Sequence, residues 1–226
     1  MAPMKDSENI SLSTRERILE AAGEVFADQG FRHATVREIC KKASVNVAAI
    51  NYHFRDKENL YQSVVQYWRD EAFQTHPLEL RMAADKSPEE YLGAFVRSFL
   101  FRILDTDRPS WFWKLVAKEW VEPTTALDIL VKETIRPHFE FLASIVKRLI
   151  GADANEERVR LCCLSVISQC VFFVYAKPVI GRLFQEVAFT TEKIEAIAEH
   201  ITHFCLEAIK SFSKGGKGAD PLTRTG

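Results

Sequence analysis

Residues 35–57 have the sequence TVREICKKASVNVAAINYHFRDK, and this pattern predicts two short helices joined by a tight turn. Thr35 and Glu38 form a capping box, which would begin the first helix. Asn46 is a favourable N-cap for a second helix over residues 47–54, in which apolar residues four apart would share a buried face. This pattern is typical of a helix-turn-helix, whose second helix enters the major groove of DNA.

The charge of the same segment favours a nucleic-acid partner. Residues 30–57 contain six basic and two acidic side chains, whereas the whole chain has a formal net charge of −1. Phosphate binding requires clustered cations rather than a basic protein as a whole. We therefore expect double-stranded DNA to bind here, and the alternative is a helical pair that only contributes to a larger helical core.

Residues 14–60 resemble the DNA-binding domain of the TetR family of bacterial repressors. The features that match are Ile18-Leu19-x-Ala21-Ala22-x-x-x-Phe26, Gly30-Phe31, Thr35-Val36-x-x-Ile39, Ala43-x-Val45, His53-Phe54 and Lys57-Glu58-x-Leu60. The chain departs from the family at two positions, with Ser44 where the turn usually has glycine and Asn51-Tyr52 where the family usually has tyrosine at position 51. The segment VNVAAINYHF is similar to one branch of the family, the CecR-like regulators.

The helical periodicity and the lack of strand alternation predict an all-α fold. The resemblance implies an N-terminal three-helix helix-turn-helix DNA-binding domain followed by a C-terminal helical domain for effector binding and dimerisation. The predicted division is a mobile arm (1–12), the DNA-binding domain (13–57), the ligand-binding and dimerisation domain (58–213) and a disordered tail (214–226). The implied function is a cytoplasmic repressor that binds a palindromic operator as a homodimer and is released by a small effector.

The predicted DNA contacts lie in the second helix and at the beginnings of its neighbours. Base edges are expected to meet Val47, Ala48 and Asn51, because apolar groups suit thymine methyls and an amide can bond adenine. Asn46 is included because it begins the same helix. Phosphates are expected to meet five further residues, namely Thr35, Arg37, Tyr52, His53 and Lys57.

Aromatic residues are concentrated between positions 91 and 120, where three of the chain's 4 tryptophans fall within ten residues. A well-packed core and an apolar effector pocket are both consistent with this density. The pocket interpretation predicts a small, largely apolar or aromatic effector. Its expected lining residues are Phe95, Phe99, Trp111, Phe112, Trp120 and Phe139.

The last two long helical segments, over residues 155–175 and 191–212, are the predicted dimer interface. The second has a broader apolar face than packing within one chain requires, and a second copy would cover the excess. The expected interface residues are Ile167, Val171, Ile197, Ile201, Phe204 and Ala208.

Other classes of protein have weaker support in the sequence. The most apolar stretch, 161–176, contains Ser165, Ser168 and Gln169, so a buried helix is expected rather than a membrane span. No catalytic motif is present, and neither an enzyme nor a cofactor is predicted. An all-α small-molecule-binding protein or enzyme, with a merely structural helix-turn-helix, is the competing hypothesis.

Metal binding and redox sensing also have weak support in the sequence. His200 and His203 are three residues apart and could share a helix face, but a metal ion would need further ligands from elsewhere. The five cysteines are expected to be buried, reduced thiols, with a redox pair at Cys162-Cys163 as the alternative. No metal site is predicted.

Overall fold

The computed structural model describes residues 13–75, 86–104, 111–151, 153–184 and 189–213, apart from the side chains of residues 68, 72–75, 112 and 113. Within these ranges the chain forms helices and turns, without a strand, which confirms the predicted all-α fold. The helices are α1 (Thr14–His33), α2 (Val36–Ala43), α3 (Val47–Phe54), α4 (Lys57–Thr75), α5 (Pro88–Leu104), α6 (Trp111–Val121), α7 (Thr125–Leu130), α8 (Arg136–Ile150), α9 (Glu156–Tyr175), α10 (Lys177–Phe184) and α11 (Thr191–Ser213). The predicted arm (1–12) and tail (214–226) lie outside the described residues.

The first of two compact units combines α1 to α3 and most of α4 with α6 and the first turn of α7. In this unit α1 packs against both α2 and α6, and α2 packs against α3. Its fully buried side chains include Ile18, Leu19, Phe26, Ile39, Ile50 and Leu60. The unit thus includes α6 besides the residues of the predicted 13–57 domain, and the domain boundaries themselves stay a prediction.

The second compact unit contains α5, the end of α7 and α8 to α11. In it α5 packs against α8, α9 and α11, while α8 packs against α9 and α11. Fully buried side chains of this core include Leu92, Phe95, Leu100, Leu142 and Ile145. Two ion pairs also join α5 to α11, Arg97 with Glu195 and Glu89 with Lys210.

A π-helical turn, Val131–Ile135, lies immediately before α8, in which Pro137 is the second residue. The N–H of Arg136 donates to the carbonyl of Val131, five residues earlier. Because Pro137 has no N–H, the carbonyl of Glu133 has no donor at the usual α-helical position. Widening the preceding turn by one residue accommodates this loss, and α8 begins with proline in its first turn, where the missing donor costs little.

Helix α9 is less buried than the sequence suggested. Leu161, Leu164, Phe172 and Tyr175 are exposed on it, and Phe172 has an exposed fraction of 58%. By length and composition α9 is the one described helix that could cross a membrane, and 28% of its most apolar window is buried within the chain. The prediction of a buried helix is therefore wrong for one side of α9, which is an apolar surface of the single chain.

Candidate nucleic-acid interface

Local hydrogen bonds determine where α2 and α3 begin. The hydroxyl oxygen of Thr35 accepts from the N–H of Glu38 at 3.3 Å, and the Glu38 carboxylate accepts from the N–H of Thr35 at 3.0 Å. The side-chain oxygen of Asn46 accepts from the N–H of Ala49 at 2.9 Å. Both predicted caps are confirmed. These local hydrogen bonds stabilise the first turns of the two short helices independently of tertiary packing.

Helix α3 has one face in the core and another in solvent. Ile50 and Phe54, four residues apart, are both buried, as the sequence predicted. The exposed residues of the helix are Val47, Ala48, Asn51 and Tyr52. Tyr52 is the most exposed of them at 84%. This surface combines apolar groups with an amide, which is a suitable combination for contacting base edges in the major groove.

Exposed basic side chains precede and follow α3 in the chain. They are Arg32, Arg37, Lys41, Lys42 and Arg55. Of these, Lys42 forms an ion pair with Glu24 of α1. The nearby acid Glu38 accepts hydrogen bonds from the Thr35 side chain and backbone and from Gln29, which lower the pKa of its carboxyl. Its charge therefore lies at the N-terminus of α2, where it complements the helix dipole. Within residues 30–57 the exposed cations outnumber the exposed acids Glu38 and Asp56.

Two of the predicted phosphate contacts already have partners within the chain. The Thr35 hydroxyl donates to Glu38 at 2.6 Å. The Lys57 ammonium donates to the carbonyl of Arg32 at 3.3 Å and lies 4.7 Å from the centre of the Phe31 ring. An ammonium group has three donors, so one carbonyl does not exhaust it. The phosphate contacts of Thr35 and Lys57 stay predictions.

Among the residues that the structure describes, two other than glycine have positive φ angles, one on each side of α3. Ser44 (φ 54°, ψ 48°) ends α2 in the left-handed region, at the position where the family usually has glycine. Arg55 (φ 69°, ψ −58°) forms a γ-turn after α3, in which the N–H of Asp56 donates to the carbonyl of Phe54 at 2.9 Å. L-residues rarely adopt these conformations, so the links of α3 to its neighbours are strained. The sequence contains no signal for the Arg55 turn.

Among the predicted effector-pocket residues, Trp111 and Trp120 belong to α6 in the first unit. Trp111 is buried, with its ring against Gly23 of α1, whereas Trp120 is exposed. The side chain of Phe112 lies outside the described residues. Packing against α1 accounts for Trp111 without an effector.

The other three predicted pocket residues belong to the second unit. The rings of Phe95 and Phe99 on α5 are nearly parallel, with centres 6.0 Å apart. Phe95 is buried, while Phe99 and Phe139 are partly exposed. That these aromatic residues share one effector site stays a prediction.

The predicted dimer residues differ in how accessible they are. Phe204, with an exposed fraction of 59%, and Ala208 are exposed on α11, and Ile167, Val171 and Ile197 are partly exposed. Ile201 is only 1% exposed, so its side chain is already packed inside the chain and cannot meet a second copy. The prediction that Ile201 lies in the interface is wrong, because α11 has apolar residues on its exposed side as well as on its buried side.

The cysteines are buried and form no disulfide. Burial raises the pKa of both Cys163 and Cys170 to about 12, so these thiols stay protonated and are weak nucleophiles. His200 and His203 are both exposed on α11. Among the described side chains, no three His, Cys, Asp or Glu residues are grouped as a metal ion would require.

Two family models match the N-terminal and C-terminal parts of the chain. Residues 18–64 match the model for bacterial regulatory proteins of the tetR family. Residues 88–209 match the model for the C-terminal domain of the HTH-type transcriptional dual regulator CecR. The CecR protein of Shigella flexneri is 30% identical over 199 residues, which cover 83% of this chain and 87% of that protein.

Solved structures agree on the fold. A bacterial regulatory protein of the tetR family from Rhodococcus RHA1 has a TM-score of 0.64 at 18% identity, covering 88% of this chain and 98% of its own. The flavonoid-responsive regulator FrrA has a TM-score of 0.58 at 20% identity, and the match covers 86% of this chain and 96% of FrrA. The helix-turn-helix with its exposed α3 and these similarities lead to one conclusion: the chain is a transcriptional regulator of the TetR family, in its CecR-like branch.

Proposed function

We propose that this regulator represses transcription by binding a two-fold symmetric operator as a homodimer, and that a small apolar effector releases it. The observation that supports DNA contact most directly is the exposed face of α3, where Asn51 lies beside the apolar Val47 and Ala48. Asn51 can bond an adenine, the apolar pair suits thymine methyls, and Tyr52 and nearby cations suit phosphates. The Shigella flexneri relative is described as a dual regulator, so promoter activity should be followed in both directions.

Operator fragments selected from genomic DNA would test this placement. In fluorescence anisotropy, Asn51→Ala should weaken the preference for operator over unrelated DNA by about 1–3 kcal/mol, since a side chain that reads a base is lost. Asn155→Ala is the matched control, because it removes the N-cap of α9 by the same chemical change. It should lower stability and leave the preference intact. An unchanged preference in Asn51→Ala would refute α3 as the recognition helix.

A homodimer follows from the small size of α3. One such helix reads only a few base pairs, and two half-sites about 34 Å apart require a symmetric protein. The apolar surface of α9, together with Phe204 and Ala208 of α11, is the surface that a second copy would cover. Burial against a second copy would also explain why α9 has exposed apolar side chains.

The proposed effector is apolar, and its site lies among the aromatic residues. Support comes from the stacked Phe95 and Phe99 and from the structurally similar FrrA, which is described as flavonoid-responsive. An effector weakens operator binding only if it binds the DNA-free conformation better, and a coupling of about 1–3 kcal/mol changes affinity roughly 5- to 150-fold. A thermal-shift screen, followed by tryptophan fluorescence and operator titration, tests this. Recovery of the ligand chemically unchanged separates the regulator from the enzyme hypothesis.

A further inference from the structure

We infer that Glu119 is a positioning residue for DNA binding, because its buried carboxylate holds Tyr61 and thereby the N-terminal turn of α4, where Lys57 lies. The inference rests on the phosphate contact proposed for Lys57. All the residues involved belong to the first compact unit.

Glu119, near the end of α6, is a buried acid with an exposed fraction of 2%. Its carboxylate accepts a hydrogen bond from the Tyr61 hydroxyl at 2.5 Å. It also accepts from the N–H of Thr124 at 3.0 Å and from the Thr124 hydroxyl at 3.0 Å. These partners are uncharged donors, and burying an acid among them gains little stability compared with an apolar side chain of similar size. What the arrangement provides is a defined geometry, because donors in fixed directions orient a carboxylate in a way that apolar packing does not.

Tyr61 connects the Glu119 carboxylate to aromatic side chains of α1. Its ring packs edge-on against Phe26, with centres 4.8 Å apart, and lies 5.1 Å from the centre of the Phe31 ring. Burial, followed by the hydrogen bond to Glu119, raises the pKa of the Tyr61 phenol. The hydroxyl therefore stays protonated at any physiological pH and remains the donor to Glu119.

Phe31 connects Tyr61 to Lys57. The Lys57 ammonium lies over the Phe31 ring and donates to the carbonyl of Arg32. Lys57 and Tyr61 are also four residues apart on α4, so they lie on the same side of that helix. A rotation of α4 that followed the loss of the Glu119 contact would move the ammonium relative to α3.

A second, more exposed set of contacts holds the same part of α4. The Thr125 hydroxyl donates to Glu58 at 2.8 Å, and the Gln62 side chain donates to Thr125 at 3.2 Å. Water competes for these exposed groups but not for the buried Glu119, so we assign the positioning role to Glu119.

The test is operator affinity measured against salt concentration. Lys57→Ala should reduce the slope of log affinity against log salt by about 1 per protomer, because one phosphate contact is lost. Glu119→Gln weakens the hydrogen bond by removing the charge of its acceptor, and Tyr61→Phe removes the bond. Each variant should reduce the slope toward the same value and weaken binding roughly tenfold. Adding Lys57→Ala to Glu119→Gln should change the slope little further. Glu122→Gln, the same change at an exposed position of the α6–α7 link, is the matched control and should behave as wild type.

The possible outcomes are distinguishable. If Glu119→Gln and Tyr61→Phe lower only the melting temperature or the active fraction, and the slope stays at the wild-type value, the positioning role is overturned while the Lys57 contact stands. If Lys57→Ala itself leaves the slope unchanged, the phosphate contact is wrong and the inference falls with it. Tyr61→Phe removes one hydroxyl and keeps the ring, so it supplies the answer if Glu119→Gln fails to fold by circular dichroism.

Discussion

The indole ring of Trp111 occupies the space that a side chain on Gly23 would need. An ideal Cβ at position 23 would lie 2.0 Å from Cη2 of that ring, well inside van der Waals contact. Gly23 lies within α1 and Trp111 is the first residue of α6, so the missing side chain allows the two helices to approach closely. The contact attaches α6 to the helix that supports the helix-turn-helix.

Gly23→Ala should therefore destabilise the protein. The added methyl group must displace the ring, at a cost of about 1–3 kcal/mol, although alanine is the better helix former by about 1 kcal/mol. Urea unfolding gives the free energy of unfolding, and a red shift of tryptophan emission would report the displaced ring. Gly93→Ala in α5 is the matched control, since its Cβ would meet only Thr202 at an ordinary 3.6 Å, and it should be stabilising. Stabilisation of both variants would contradict the close contact.

Ser44→Gly should raise the melting temperature. Ser44 has φ 54°, and an L-residue in this region costs about 1–2 kcal/mol, which glycine avoids. The greater freedom of glycine in the unfolded chain offsets part of the gain, so a net stabilisation of about 1 kcal/mol is expected. Ser44→Ala is the control, because it removes the hydroxyl and retains the strain. Equal stabilities of the glycine and alanine variants would show that the turn is relaxed.

Leu164→Glu combined with Phe204→Glu should yield monomers. Both side chains are exposed on the single chain, so the two charges disrupt an interface without entering the core. Sedimentation measures the oligomeric state, and operator affinity should fall with the dimer. Val121→Glu, at an exposed apolar position of α6, is the control. A tight dimer in the double variant would eliminate this interface, whereas Ile201→Glu would unfold the chain itself.

Stability should decrease as the pH falls below about 6.5 because of His138. Its Nδ1 lies 2.6 Å from the carbonyl of Thr134 and its Nε2 lies 3.3 Å from the Arg102 guanidinium, an arrangement that fits a neutral ring with the proton on Nδ1. Burial, together with the Arg102 charge, lowers the pKa of His138.

The sign of this effect follows from proton linkage. Above the pKa of an unfolded histidine, about 6.5, the ring is neutral in both states and contributes no pH dependence. As the pH falls through the interval between that value and the lower pKa of the folded state, only the unfolded chain takes up the proton, so the free energy of unfolding falls. Urea unfolding between pH 7.5 and 5.5 should show a shallower pH dependence in His138→Gln. Identical slopes would exclude His138 as the origin.

Local signals in the sequence were sufficient to predict the helix-turn-helix. The capping residues Thr35 and Asn46 act through hydrogen bonds to residues three positions away, so composition and spacing contain the information. The buried pair Ile50 and Phe54 follows from helical periodicity in the same way. For the same reason, the family resemblance could be recognised from this segment.

Contacts between distant residues could not be predicted. Nothing near Trp111 in the sequence indicates that its ring faces Gly23, 88 positions earlier, and nothing near Tyr61 indicates Glu119. The sequence shows that α9 and α11 contain many apolar residues. Hydrophobicity alone does not distinguish residues buried in the core from exposed residues that a second copy would cover. That ambiguity is the reason why the interface prediction wrongly includes Ile201.

The half-exposed α9 has a consequence for the amount of regulator a cell must hold. If the apolar side of this helix is covered only in the dimer, folding and association are one equilibrium, and protein concentration enters the stability directly. A tenfold rise in concentration then stabilises the dimer by about 1.4 kcal/mol. The melting temperature should therefore rise when the sample is concentrated. In a cell that contains few copies, newly made chains would be degraded before they form the dimer that represses. Expression level would thus set the lifetime of the protein as well as the occupancy of its operator.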